Sequence, residues 1–202
     1  MKANKSIEIF NLAIADFHIT DHVDALLKNP FEKNTIESLF YTKCWIDTVQ
    51  WHLEDIIRDP NINPIEGMSI KRRIDASNQD RTDMVEKLDD YYLSIFKETT
   101  AKKNATINTE SPGWVVDRIS ILCLKIWHMQ EQVQRKDSTE SHKNACQFKL
   151  DILEMQKEDL ISSFDFLLNE YEKGNKSIKV YRQMKMYNDE DLNPVLYKKG
   201  NS

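Results

Sequence analysis

Glycine and proline are scarce in this chain of 202 residues. It has 4 glycines and 5 prolines, where average usage would give roughly two dozen of the two together. The glycines stand far apart, at positions 67, 113, 174 and 200. A P-loop and a glycine-rich dinucleotide-binding turn both need clustered glycines, so both motifs are excluded.

Cysteine pairs, long apolar runs and an excess of basic residues are also absent. Cys44, Cys123 and Cys146 form no Cys-x-x-Cys motif, which indicates reduced, buried thiols in a cytoplasmic protein. No run approaches the length of a membrane span, and polar residues interrupt the N-terminal segment, so we expect no membrane insertion and no signal peptide. The net charge of −5 argues against a nucleic-acid partner.

Start and stop signals divide the chain into helices. Capping sequences begin at Asn34 and Asp137, prolines follow Asn63 and Ser111, and Gly174 suits a helix C-terminus. These signals predict four main helices at about 35–58, 64–98, 112–135 and 138–173. A weaker helix is expected at about 5–28, a short one at about 176–186, and an irregular tail around residues 193–194. No strand pattern competes, so the sequence predicts an all-α protein with one domain over residues 1–202.

The sequence also contains a gapless repeat at an offset of 76 residues. Residues 51–55 (WHLED) fall on 127–131 (WHMQE), and three aspartates later in the two segments match at the same offset. Shared amphipathic periodicity explains the apolar matches but not two Trp-His pairs. The repeat therefore predicts a duplication of an antiparallel helical hairpin, at about 35–98 and 111–173. The expected product is a pseudo-twofold four-helix bundle with an extra N-terminal helix, a short C-terminal helix and a tail.

Three long blocks of this sequence resemble a known family. The blocks are residues 51–60 (WHLEDIIRDP), 71–81 (KRRIDASNQDR) and 110–128 (ESPGWVVDRISILCLKIWH), and the tail KMYND at 185–189 with Asn193-Pro194 is similar too. They resemble a bacterial family of helical domains of unknown function, over about residues 35–197. The resemblance implies a context of glycosyltransferase and surface-polysaccharide genes, but it implies no catalytic residue. Residues 1–30 match no family pattern.

Two polar residues fall on the apolar seam of the second main helix. Asn78 and Arg81 stand between Ile74 and Val85, and an unpaired buried guanidinium is costly. Arg81 could pair with Glu154 or an aspartate in a structural layer, or it could face an anion-binding pocket.

Both repeats place a histidine on an apolar stripe, followed three residues later by a carboxylate. His52 precedes Asp55 in the first repeat, and His128 is its equivalent in the second. Metal-binding bundles use the opposite order, Glu-x-x-His, so we expect two separate hydrogen-bond networks, no metal site and no cofactor. Hairpin geometry makes Asp75 the expected partner of His52, and Asp151 that of His128.

Two further charged residues belong to the third main helix. Lys125 is expected either to pair with Asp151 or to extend its ammonium to the rim of the bundle. Asp117 lies near the start of this helix, where a carboxylate is favoured by the helix dipole.

Two functions remain open at this point. In the first, the polar layer binds a small anionic ligand, a phosphorylated or sugar-nucleotide compound, through Arg81, Lys125 and the histidines. Asp55 or Asp75 could then hold Mg²⁺, although the paired Glu-x-x-Glu spacing of helical pyrophosphohydrolases is missing. In the second, the chain is a non-enzymatic interaction or scaffold protein whose polar layer is structural. Catalysis and homo-oligomer formation also stay open.

Overall fold

The computed structural model describes residues 3–184 and 191–192, and the protein is all-α. Its five helices are α1 (Ala3–Thr20), α2 (Ile36–Ile57), α3 (Pro64–Ile95), α4 (Pro112–Gln134) and α5 (Glu140–Glu172). No strand occurs within these residues. Their β-type pairing is limited to an isolated bridge between Thr106 and Lys176. The predicted fold class is therefore confirmed, and α2 to α5 lie within three residues of their predicted bounds.

Two predicted helices differ from the structure. The first helix ends at Thr20 rather than near residue 28, because Asp21 adopts a positive φ of 49°. The short helix expected from 176 is absent over 176–184. Gly174, with φ of 69°, turns the chain after α5, and the amide of Ser177 then donates to the carbonyl of Thr106 at 2.8 Å. The predicted tail, including Asn193-Pro194 and the KMYND block, lies outside the described residues.

The caps of the helices follow the predicted signals with small shifts. Asn63 caps α3, as predicted, and its side chain accepts from the amide of Ile65 at 2.9 Å. Thr35 and Thr139, rather than Asn34 and Asp137, are the N-caps of α2 and α5. Asn34 instead takes a positive φ of 67° in the turn before the helix.

The N-terminus of α4 is capped by a side chain from another helix. Ser111 makes no cap bond of its own, and its hydroxyl donates to Asp89 of α3 at 2.7 Å. The amide of Gly113 donates to the second carboxylate oxygen of Asp89 at 2.6 Å. A buried carboxylate therefore accepts from the first turn of α4 and joins it to α3.

The helices pack around α4, which contacts each of the other four. Helices α2 and α3 form one hairpin, and α4 and α5 form the other. In a closed four-helix bundle α2 and α5 would be neighbours. In the described residues they are not in contact, and α1 packs against both of them and against α4. The duplication of the two hairpins stays a prediction.

Helix α1 is an integral part of the hydrophobic core rather than an appended segment. Its inward face carries Phe10, Ala13, Ile14 and Phe17, all fully buried, at the spacing of an amphipathic helix. None of the described helices is both long and apolar enough to span a membrane.

The close approach of α3 and α4 at Gly113 generates a first prediction. A Cβ atom there would lie 2.5 Å from the carbonyl oxygen of Val85 and 2.7 Å from Asp89. We expect Gly113→Ala to lower the free energy of unfolding by roughly 1–3 kcal/mol, because backbone must move to admit the methyl group. Urea unfolding measures the change.

Gly67→Ala is the matched control, because its added methyl would meet its nearest neighbour at an ordinary 3.6 Å. It should be neutral or stabilising, by up to about 1 kcal/mol. Equal stability of the two variants would contradict the prediction that α3 and α4 lie too close together at Gly113 to admit a side chain.

Candidate functional site

A cluster of four charged side chains joins α2, α3 and α4, and three of the four are buried while that of Arg81 is half-buried. Lys43 and Asp47 lie one turn apart on α2 and form an ion pair. Asp117 of α4 accepts from Lys43 at 2.9 Å and from Arg81 of α3 through two bonds of 2.8 and 2.6 Å. Ser120 donates to Asp47 at 2.6 Å. The cluster therefore fixes three helices to one another through directional, charge-assisted bonds.

The two carboxylates of this cluster have different proton affinities. Burial raises the pKa of Asp47, and the nearby Asp117 charge adds to this against the opposing Lys43 charge. Burial also acts to raise the pKa of Asp117, but hydrogen bonds from Arg81 and the charge of Lys43 outweigh it and hold that pKa below its usual value. Asp117 is thus firmly ionised, whereas Asp47 more readily takes a proton.

A cleft of about 330 Å³ opens beside the cluster. It is lined by Asp47, Gln50, Trp51, Glu54, Asp55, Arg58, Arg81, Ile121 and Leu124. Oδ1 of Asp47 is buried and accepts no hydrogen bond within the described residues. Both cations of the cleft are paired, Arg81 with Asp117 and Arg58 with Glu54 at 3.1 Å. This first cleft therefore offers a ligand hydrogen-bond acceptors rather than unpaired positive charges.

A second, larger cleft of about 570 Å³ shares the walls Trp51 and Asp55 with the first. Its remaining lining comes from α4 and α5: Lys125, His128, Met129, Gln132, Lys149, Ile152 and Leu153. Lys125 and Lys149 are exposed. Apolar walls flanked by two ammonium groups distinguish this cleft from the first.

Three histidines from three helices converge next to the second cleft. His18 of α1, His52 of α2 and His128 of α4 have ring centroids 5.3 to 5.5 Å apart. One ring nitrogen of each lies within 4.8 Å of one from each other ring. Burial lowers the pKa of His52, and the neighbouring His18 and His128 lower it further.

The family comparison covers most of these residues. Residues 37–180 match the model of a family described as "Protein of unknown function (DUF4254)". The chain belongs to this family. The match includes the charged cluster, both clefts and two of the three histidines, whereas α1 with His18 lies before it. No curated protein and no solved structure is significantly similar to the chain.

Most of the predicted site residues of this DUF4254 domain lie in the cluster, the clefts or the histidine group: His52, Asp55, Arg81, Asp117, Lys125 and His128. Arg81 pairs with an aspartate, one of the two expected partners, and not with Glu154, which pairs with Lys157. Asn78 accepts from Gln50 at 2.8 Å. Asp117 lies in the first turns of α4, as predicted. The contacts that orient its side chain, however, are the hydrogen bonds that it accepts from Lys43 and Arg81.

The predicted histidine networks are wrong. Asp75 is exposed and pairs with Lys71 one turn away, and Asp151 accepts from Gln147. His128 instead contacts Glu131 of its own helix at 2.8 Å. The two repeat histidines lie together rather than in separate networks, because α2 and α4 pack directly against each other.

Lys125 is likewise exposed, and of its two expected positions it takes the one at the rim. Its expected partner, Asp151, accepts from Gln147 instead.

Three functional candidates were missed by the sequence reasoning: Lys43, Asp47 and His18. Lys43 and Asp47 stand four residues apart among the apolar residues of α2, and this spacing was the signal for a buried pair. His18 gave no comparable signal, because the other two histidines and the Trp127 ring that it contacts are distant from it in sequence.

The charge balance of the cluster generates a second prediction. Lys43→Met removes a fully buried ammonium and leaves two carboxylates facing Arg81 alone. We expect this variant to lose roughly 3 kcal/mol or more of unfolding free energy. The double variant Lys43→Met/Asp47→Leu restores charge balance and should recover most of that loss, as chemical denaturation would measure. A double variant less stable than the single one would contradict the role of charge balance.

Proposed function

We propose that this DUF4254 domain binds a small anionic ligand in the second cleft, between Trp51 of α2 and the α4–α5 hairpin. The main support for this proposal is that Lys125 and Lys149 flank an apolar cleft and form no ion pair within residues 3–184 and 191–192. Free ammonium groups favour phosphate or carboxylate, because no carboxylate of the described residues forms an ion pair with them. The cleft volume also lies in the usual range for small-molecule sites.

The apolar lining narrows the class of ligand. Trp51 presents an aromatic ring at the wall, and Met129, Ile152 and Leu153 contribute aliphatic surface. Aromatic and aliphatic walls suit the flat face of a base or a sugar ring. A phosphorylated sugar or a sugar nucleotide combines such a face with negative charge.

The first cleft supports the same class of ligand. Oδ1 of Asp47, which lies 3.6 Å from Nε of Arg81 but accepts no hydrogen bond within the described residues, suits a sugar hydroxyl, and Trp51 and Asp55 border both clefts. The surface-polysaccharide context implied by the family resemblance fits such a compound. A cytoplasmic location also fits, because Cys44, Cys123 and Cys146 are all free and buried.

The binding prediction is tested with glucose 1-phosphate, UDP and UDP-glucose. We expect at least one of these compounds to raise the melting temperature of the wild-type protein. Calorimetry should show about tenfold weaker binding for Lys125→Gln or Lys149→Gln and weaker binding at high salt, since the attraction is electrostatic. Lys87→Gln is the control, because Lys87 is exposed on α3 and lines neither cleft. Unchanged binding in both cleft variants, or no binding of any probe, would refute the assignment.

The alternative function, a non-enzymatic interaction protein, is favoured by an apolar row on the outer face of α5. Phe148, Ile152 and Met155 are 49 to 68% exposed and follow one another at helical spacing. We propose that a second copy of this chain binds to this row. Two copies related by a twofold axis perpendicular to α5 would place the row of one copy against the same row of the other.

Oligomeric state tests this alternative. Light scattering should give a dimer for the wild-type protein and a monomer for Phe148→Glu/Met155→Glu. The control Met68→Glu changes an apolar residue of α3 that is also more than half exposed and should leave the dimer intact. A wild-type monomer at high concentration would exclude the homo-oligomer.

A further inference from the structure

We propose that His18, His52 and His128 form a binding site for one divalent transition-metal ion of the Zn²⁺ class, with the three Nε2 atoms as ligands. Their ring nitrogens already lie within 4.8 Å of one another. In a tetrahedral site with Zn–N bonds of about 2.0–2.1 Å, the ligand nitrogens would be about 3.3 Å apart. Each imidazole would therefore move by only about 1 Å to bind the ion.

The hydrogen-bonding state of the three rings points to a ligand. Nε2 of each histidine is buried and has no hydrogen-bond partner within the described residues. A buried polar atom without a partner is costly, and three such atoms in one group of neighbouring rings are unusual for a purely structural cluster. A metal ion would satisfy all three at once.

The tautomers of two rings are set by their neighbours. Nδ1 of His18 lies 2.7 Å from the carbonyl oxygen of Ile14, and a carbonyl only accepts, so this nitrogen carries the proton. Nδ1 of His128 lies 2.8 Å from the carboxylate of Glu131 in the same way. In its neutral form each of these two rings therefore keeps a lone pair on Nε2. Histidine ligands of metal ions use this arrangement, with a carbonyl or carboxylate behind the ring.

An aromatic side chain stacks on each imidazole and holds its orientation. Phe17 lies on His52 with centroids 4.9 Å apart, Trp51 on His128 at 4.9 Å, and Trp127 on His18 at 5.1 Å. The rings are near parallel, at 14 to 27°. An apolar shell of this kind limits water around a metal site and favours its neutral nitrogen ligands.

Three imidazoles suit zinc, cobalt, nickel or copper, whereas magnesium and calcium prefer oxygen ligands. Three protein ligands also leave a fourth position for water or another group. Asp21 supplies a carboxylate oxygen 4.0 Å from Nε2 of His52. The inference is independent of the proposed anionic ligand, since it concerns the metal ion alone.

Metal titration of the tag-free, chelator-treated protein tests the site. We expect one Zn²⁺ per chain by calorimetry and, with Co²⁺, a visible spectrum typical of four- or five-fold coordination. His18→Gln, His52→Gln and His128→Gln should each weaken Zn²⁺ binding by at least about 100-fold. Glu131→Gln, which changes the group behind His128 and also the acceptor of the Trp127 indole N–H, should weaken it by about tenfold.

The chain offers a matched control, because it has five histidines. The double variant His22→Gln/His142→Gln leaves the three proposed ligands as the only histidines. It also disrupts the contact between Nε2 of His142 and Cys146, which are 3.4 Å apart. This variant should bind Zn²⁺ as the wild type does. Loss of binding in the control, or unchanged binding in the three ligand variants, would overturn the site.

A second measurement keeps the test decisive if a ligand variant fails to fold. X-ray absorption on zinc-loaded wild-type protein should show three imidazole nitrogens at about 2.0–2.1 Å. A sulfur ligand, fewer than three imidazoles or failure of the wild type to bind Zn²⁺, Co²⁺, Ni²⁺ and Cu²⁺ would each refute the proposal.

Discussion

The buried charge cluster is the constraint on which the rest of the molecule depends. Lys43, Asp47, Arg81 and Asp117 come from three helices and must meet within ion-pair distance in a largely apolar interior. Apolar contacts tolerate sliding of one helix along another, but charges removed from water do not tolerate separation. This requirement fixes the relative height of α2, α3 and α4, and with it the two clefts that share Trp51.

The same constraint separates the two clefts chemically. Arg81 and Lys43 are both committed to Asp117, so the cations nearest the core are neutralised. Lys125 and Lys149 stand at the other cleft, away from this cluster. The exposed lysines are therefore a better site for an anionic ligand than Arg81, although an arginine on an apolar seam is the more conspicuous feature of the sequence.

Local signals in the sequence predicted the helices well and the contacts between them poorly. Asn63-Pro64 and Gly174 mark helix ends because capping depends on a few neighbouring residues. The partner of His52 depends instead on which helices pack together. A hairpin of α2 and α3 suggested Asp75, whereas α1 and α4 supply the actual neighbours. No periodicity within one helix carries that information.

Helix α1 explains why symmetry misled the interpretation of the histidines. Under the proposed duplication, Trp51 stacked on His128 implies an equivalent stack of Trp127 on His52. The structure has the first stack, but His18 of α1 lies on Trp127 and Phe17 lies on His52. A helix from outside the repeats thus takes the place of a symmetry mate and adds a third imidazole. Two histidines related by a twofold axis would make at most a pair, whereas the asymmetric addition creates the three-nitrogen arrangement of the proposed metal site.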